Sequence, residues 1–161
     1  MKGPFHDYLY AQHAELAKKQ VFNGRTTNIF ARFTGGILRS MGCDSVLDFG
    51  SGSGIKKDET NIGHQTLRSL CGDQLSLFGY EPSMKRSLER DNHQSLVDTF
   101  LPFQDNSFNS VMSFDVIEHL HQYDAALIIP EIFRVAKSCI ILNISCVPAK
   151  KSLPNGKNCH T

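Results

Sequence analysis

A short apolar run over residues 45–49 leads directly into three glycines at alternate positions, Gly50, Gly52 and Gly54. Because glycine lacks a Cβ atom, such a loop adopts positive φ angles and lets its backbone approach a bound molecule. An apolar run that ends in this kind of loop predicts a strand whose carboxyl end faces a nucleotide-like ligand in an open α/β sheet. The glycine pattern therefore predicts the positions of a strand, a loop and a ligand-binding edge.

The residues after this loop exclude two common phosphate-binding patterns. The dinucleotide pattern G-x-G-x-x-G/A requires a small residue at position 55 or 57, where the chain has Ile55 and Lys57. The Gly-Lys-Ser/Thr ending of the mononucleotide phosphate loop is also absent. What remains is D-x-G-x-G-x-G beginning at Asp48, although a flexible loop without a ligand uses glycine in the same way.

Three later apolar runs each end on an acidic residue. These are Glu81 after residues 75–80, Asp98 after residues 95–97, and Asp115 after residues 110–114. In nucleotide-binding α/β folds, an acid at the tip of the second strand accepts hydrogen bonds from ribose hydroxyls. Each acid alone is also typical of a solvated strand end, so the prediction rests on the order of all three.

The D-x-G-x-G-x-G segment, the later acids in this order and the D-x-x-E-H sequence of residues 115–119 resemble the class I S-adenosylmethionine (SAM)-dependent methyltransferases. The resemblance covers residues 44–145, and the lysine-rich end of the chain is similar to that of short viral methyltransferase-like proteins. It implies SAM as the cofactor and a three-layer α/β fold with a doubly wound, mostly parallel sheet. The sheet is expected to lack part of the C-terminal β-hairpin, because few residues follow the fifth predicted strand.

The resemblance also implies which residues contact each part of the cofactor. The methionine part is assigned to Asp48, Gly50, Ser51, Gly52 and Gly54. The ribose is assigned to Glu81 with Pro82, the adenine to Asp98 with Thr99, and the sulfonium side to Phe114, Asp115 and Val116.

His119 is the candidate general base for methyl transfer, because histidine titrates near neutral pH. The alternatives are a surface histidine and one bonded to Glu118. His160 in the tail is a weaker candidate for the same role. No metal is predicted, since the spacing of Cys146, Cys159 and His160 matches no zinc pattern.

The whole chain, residues 1–161, is predicted to form one domain with helices in residues 1–42, the core sheet in 44–145 and a polar tail loop in 146–161. Helices are expected over residues 4–20, 27–41, 62–70 and 123–137, with Thr26 or Thr27 capping the second. Pro130 should kink the last helix or start another. Phe30 and Phe33 begin an apolar stripe that is expected to pack on the sheet. Residues 138–144 read as a buried parallel strand.

Composition narrows the functional classes. The net charge of +1, from 17 basic and 16 acidic residues, gives no general attraction to nucleic acid or to an anionic membrane. No apolar run is long enough to span a bilayer. Five cysteines without a C-x-x-C pair indicate a reducing, cytoplasmic setting.

The predicted function is transfer of the SAM methyl group to an unidentified acceptor. A small molecule is favoured over a nucleic-acid base, because residues 115–118 lack the N-P-P-Y tetrad of amino-methylating enzymes and the Pro-Cys pair of cytosine C5 enzymes. The alternatives are an inactive or truncated SAM-binding protein, which sequesters the cofactor or serves as a partner subunit, and a SAM-degrading enzyme. An open sheet edge would favour a homodimer.

Overall fold

The computed structural model describes residues 24–52, 61–81, 94–95, 100–120, 122–150 and residue 152. Their elements are helix α1 (Arg25–Ser40), strand β1 (Ser45–Phe49), helix α2 (Ile62–Cys71), strands β2 (Ser76–Glu81), β3 (Gln94–Ser95) and β4 (Phe108–Phe114), a 3-10 turn (Ile117–His119), helix α3 (Gln122–Val135) and strand β5 (Ala136–Asn143). The helix predicted over residues 4–20 and most of the polar tail lie outside this part of the chain.

The five strands form one sheet in the order β3-β2-β1-β4-β5, and every pair is parallel. Strand β1 lies at the centre, where Val46 pairs with Leu77 of β2 and with Ser110 of β4. Strands β2 and β3 lie on one side of β1, and β4 and β5 lie on the other. The carboxyl ends of β1 and β4 therefore adjoin at the topological switch point, where the strand order reverses. The predicted parallel α/β sheet is confirmed.

Successive residues of β1 point to opposite faces of the sheet, and each face has its own core. Val46 packs with Leu38 of α1 and Leu67 of α2, whereas Leu47 packs with Ile132 of α3. Helices therefore cover both faces, as a doubly wound sheet requires.

The predicted threonine cap of α1 is wrong, and of the two alternatives predicted for Pro130 the start of a second helix is wrong. Helix α1 begins after Gly24, which has φ +75° and makes no side-chain cap, while Thr27 is buried rather than capping. Helix α3 continues through Pro130 without a second helix. Its buried residues Ile128 and Ile132 lie on either side of the proline, and their packing on the sheet offsets the lost backbone hydrogen bond.

Strand β5 is the edge of the sheet in the described residues, and it is less buried than predicted. Of its apolar residues Ile141 is buried, while Leu142 is exposed. The expected packing of Phe33 on the sheet is also wrong, because 66% of this residue is exposed. Phe33 faces the region beside the β5 edge, where no described strand covers it.

Candidate functional site

The glycine loop is tied to the carboxyl end of β2. The backbone amides of Gly50 and Ser51 donate to the carbonyl of Tyr80 at 2.6 and 3.3 Å. The next amide, that of Gly52, donates to the Glu81 carboxylate at 2.8 Å. The carboxylate predicted to hold the ribose therefore lies beside the loop predicted to hold the methionine part.

The same loop contacts the end of β4 through Gly50. This residue has φ +84°, and a Cβ atom built on it would lie 2.1 Å from Cγ2 of Val116. Gly52 also has a positive φ, at +77°. Both angles confirm the predicted left-handed backbone, and at Gly50 glycine is needed both for this angle and for the approach of Val116.

A buried polar cluster supports the loop from the α1–α2 face of the sheet. Oδ2 of Asp48 lies 2.7 Å from Nε2 of His64, and both residues are buried. Asn61 caps α2 by accepting from the His64 amide at 3.0 Å, and its own side-chain amide donates to the Ser51 carbonyl at 3.0 Å. One Asp48 oxygen is thus bonded within the protein, and the cluster fixes the start of the loop from below.

The carboxyl end of β4 carries the residues predicted for the sulfonium side. Phe114 is buried and stacks on Phe30 of α1, with ring centroids 5.6 Å apart. Asp115, which follows it, has φ +61°, a strained angle for a residue with a side chain. Its amide donates to the carbonyl of Asn143 at 3.0 Å, which joins the ends of β4 and β5.

The candidate base lies in the 3-10 turn that follows. Nε2 of His119 is 3.9 Å from Oδ1 of Asp115, which is an ion-pair distance rather than a hydrogen bond. Oε1 of the neighbouring Glu118 accepts from the Ser145 amide at 2.6 Å. Oε2 of Glu118 is buried and has no hydrogen-bond partner among the described residues.

The structure thus brings together eight of the predicted site residues at one edge of the sheet. These are Asp48, Gly50, Ser51, Gly52, Glu81, Phe114, Asp115 and Val116. Gly54, Pro82, Asp98 and Thr99 lie outside the described residues, as do Cys159 and His160.

Sequence reasoning missed the polar cluster below the loop. Asn61 could have been found as an N-cap, because it directly precedes the apolar residues of α2. His64 gives a weaker signal: with Leu67 it lies on the helix face that packs inward, where a histidine requires a polar partner.

A second missed group joins α3 to the segment that follows β3. Arg134 donates to both Glu131 oxygens, at 2.8 and 2.6 Å, and to the carbonyls of Leu101 and Phe103 at 3.0 and 2.8 Å. It also bonds Asp105 at 2.8 Å. The guanidinium lowers the pKa of the Glu131 carboxyl below its ordinary value, first through their hydrogen bond. We call these bonds the Arg134 cluster.

These residues fit the predicted cofactor. The tip of β2 provides a carboxylate that can accept hydrogen bonds from vicinal hydroxyls, and it lies beside a loop in which two glycines hold left-handed backbone. The loop also contacts the tip of β4, so three strand ends meet in one region. Open α/β sheets bind nucleotide-like ligands at this position.

A family model described as "Methyltransferase domain" matches residues 47–139, more than half of the chain. The matched segment includes the glycine loop, Glu81, and the ends of β4 and α3. The resemblance to the class I SAM-dependent methyltransferases is thereby confirmed, and with it SAM as the cofactor of the family. No curated protein sequence matches this chain.

Solved structures to which the chain is similar include a SAM-dependent methyltransferase from Aquifex aeolicus, at 18% identity, a TM-score of 0.44 and coverage of 63% of this chain and 57% of that one. A protein from Methanococcus maripaludis assigned as a SAM-dependent methyltransferase has 18% identity and a TM-score of 0.49, with coverage of 83% of this chain and 62% of that one. A chain in the complex of the Haloferax volcanii Trm112 methyltransferase activator with a methyltransferase has 20% identity and a TM-score of 0.41, with coverage of 85% of this chain and 57% of that one. The chain therefore spans 57–62% of the length of these proteins.

Within the described ranges, none of the helices has the length and apolar character needed to cross a membrane.

Proposed function

Because the chain belongs to the methyltransferase-domain family, we propose that it transfers the methyl group of SAM to a small-molecule acceptor. The observation that carries this proposal is the meeting of three strand ends around Gly50, with the Glu81 carboxylate 2.8 Å from the Gly52 amide. Bound SAM supplies an activated methyl on a sulfonium leaving group. The task of the protein is then mainly to position the donor and the acceptor.

Each strand end has a separate part in that positioning. Glu81 accepts hydrogen bonds from the ribose hydroxyls, and the backbone of Gly50 and Gly52 approaches the methionine part. Phe114 and Val116 form the apolar wall beside the methyl group. Asp115 projects next to them and is 52% exposed in its side chain, so it can meet a polar group of the acceptor.

His119 takes the proton of the acceptor's hydroxyl or amine group. Its Nε2 atom lies 3.9 Å from Oδ1 of Asp115, so the two side chains face the same part of the site. Residues 117–119 follow the same strand end as the predicted sulfonium-side residues, so the base and the methyl group belong to one region of the protein.

Glu81→Ala is expected to weaken SAM binding by about 1.5–3 kcal/mol, because it removes charged hydrogen bonds to the ribose. Isothermal titration calorimetry measures the affinity. Asp73→Ala is the matched control, since Asp73 is an exposed acid before the amino end of β2. Equal affinities of Glu81→Ala and the natural chain would reject the ribose assignment.

His119→Ala is expected to lower methyl transfer about 100-fold or more while leaving SAM affinity nearly unchanged. The transfer of tritium-labelled methyl from SAM into a deproteinised cell extract measures the reaction. Gln122→Ala, at an exposed position three residues later, serves as the control. Retained transfer in His119→Ala would mean that another group removes the proton.

Two further functions are distinguished by the same reagents. If mass spectrometry detects loss of SAM in the absence of any acceptor, the protein is a SAM-degrading enzyme. Binding without either loss or transfer would identify a protein that sequesters SAM or serves as a partner subunit.

The surroundings of the site support two smaller proposals. Among the described strands β5 lies at the edge of the sheet, which favours pairing with a second copy of the chain, so sedimentation velocity is expected to detect a homodimer. The four described cysteines are free, which supports a reducing, cytoplasmic setting.

A further inference from the structure

An apolar cleft of about 410 Å³ lies between α1 and the carboxyl halves of β4 and β5. Among the described residues it is lined by Phe30, Phe33, Phe114, Ile141, Leu142 and Asn143, which we call the aromatic cleft. Its volume falls within the range of small-molecule sites, roughly 300–1,000 Å³, and such sites are mostly apolar with a few polar groups.

The cleft lies at the ligand-binding edge of the sheet. Phe114 and Asn143 are the last residues of β4 and β5, and they are register partners. Asp115 and Val116 follow Phe114, and Val116 contacts Gly50 of the cofactor loop. The cleft therefore adjoins the strand end at which the proposed function has the methyl group, rather than a remote part of the surface.

The cleft opens near the carboxyl end of β5. Lower on the same side of the sheet, Cys139 of β5 packs against the core formed by α1 and β4. The space appears beside Ile141 and Asn143, where β5 ends. A small ligand at the ligand-binding edge of the sheet needs room at this end of the strand.

The side chains in the cleft define the chemistry of its occupant. Three of the six described lining residues are phenylalanines, and Phe33 is 66% exposed. Among the described lining residues there is one amide, from Asn143, and no charged side chain. A charged group would lose its hydration here without a partner, whereas an aromatic ring would gain stacking and apolar contact.

We propose that the aromatic cleft binds the methyl acceptor, and that the acceptor is a small, uncharged molecule with an aromatic ring body. The inference rests on the proposed function and adds the substrate class to it. The ring lies against Phe33 and Phe30, and the nucleophilic hydroxyl, amine or thiol points towards Asp115 and His119. In the transfer, a lone pair of the nucleophile forms the bond to the methyl carbon as the carbon–sulfur bond breaks, the bonding pair stays on sulfur, and His119 takes the proton.

The test uses N-phenyl-1-naphthylamine, a neutral ring compound whose fluorescence rises in apolar surroundings. In the presence of saturating S-adenosylhomocysteine, one equivalent is expected to bind the natural chain. Phe33→Ser should weaken this binding about tenfold, since it removes most of one apolar wall. Phe133→Ser is the matched control, because Phe133 is 62% exposed but lies on α3, on the opposite face of the sheet.

Competition adds a test of the ring requirement. 2-Naphthol is expected to displace the fluorescent compound from the natural chain, whereas glycerol, which has hydroxyls and no ring, is not. Displacement by both compounds or by neither would overturn the assignment of ring chemistry. Equal binding in Phe33→Ser and Phe133→Ser would overturn the location.

Calorimetry with SAM distinguishes a failure of this inference from a failure of the proposed function on which it rests. If Phe33→Ser binds SAM like the natural chain but loses the ring compound, both stand. If the natural chain binds SAM but not the ring compound, the acceptor class fails and the methyltransferase proposal remains. If the natural chain does not bind SAM, the proposed function fails and the acceptor assignment fails with it. If the ring compound instead splits a dimer in sedimentation velocity, the occupant of the cleft is a second copy.

Discussion

Gly50→Ala is expected to abolish measurable SAM binding and to destabilise the folded chain by about 2–5 kcal/mol. The backbone at this position has φ +84°, and an L-residue in the left-handed region costs roughly 1–2 kcal/mol. The added methyl would lie 2.1 Å from Cγ2 of Val116, and overpacking of this kind costs roughly 1–3 kcal/mol. Relief of the overlap would move the loop away from the end of β4, which separates the two sides of the cofactor site.

Calorimetry with SAM and thermal unfolding measure the two effects. Gly36→Ala is the matched control, because it makes the same change inside α1, where an added Cβ would meet nothing within 4 Å. That variant should bind SAM normally and be more stable by about 0.5–1 kcal/mol, as alanine favours a helix over glycine. The double variant Gly50→Ala with Val116→Ala removes the overlap and keeps the strained angle, so it should recover part of the stability. Normal SAM affinity in Gly50→Ala would contradict the close approach of the loop and β4.

Arg134→Ala is expected to lower the free energy of unfolding by about 3 kcal/mol. The change removes hydrogen bonds to Leu101, Phe103 and Asp105, and it leaves the carboxylate of Glu131 buried without its cation. Breaking a buried ion pair by removing one partner costs roughly 3–5 kcal/mol, and the partial exposure of Arg134 places the effect at the lower end. Chemical denaturation measures the loss.

The matched control is Arg32→Ala. The side chain of Arg32 is exposed on α1 and has no hydrogen bond to a described residue, so its removal should change stability by less than about 0.5 kcal/mol. Equal stabilities of the two variants would mean that the Arg134 cluster contributes nothing to the fold.

The same pair predicts a dependence of stability on pH. The folded-state pKa of Glu131 is lowered, chiefly by its hydrogen bond with Arg134. Its contribution is therefore present above the unfolded-state pKa of about 4.3 and is lost as the pH falls through the lower folded-state value. Arg134→Ala should lose this part of the acid sensitivity, so the difference in stability between the two proteins should narrow as the pH falls below about 4.

The order of elements was predictable because each depends on a local pattern. The apolar runs that end at Phe49, Glu81 and Phe114 form β-strands. Gly50 and Gly52, which follow the first of these strands, have the expected positive φ. Helix α2 lies over Ile62–Cys71, within a residue of the prediction. These features follow from periodicity and from the steric freedom of glycine, which are properties of short segments.

The errors come from contacts between distant segments. Phe33 occupies a helical stripe that should be buried, but no strand of the described part of the sheet lies beneath it. Pro130 does not start the second helix that was one of its two predicted outcomes, because α3 packs on the core on both sides of it. The bonds from His64 to Asp48 and from Arg134 to Leu101 join residues far apart in sequence, and no spacing rule indicates such partners.

The most direct test of the account is a titration of the nitrogen-15-labelled chain with SAM, followed amide by amide in NMR spectra. Saturable shift changes are expected at the carboxyl edge of the sheet, at Gly50, Gly52 and Asp115. The amides at the opposite edge, at Ser45, Ser76 and Phe108, should remain unchanged. Changes confined to the amino edge, or no change at any SAM concentration, would contradict the assignment of the cofactor to these strand ends.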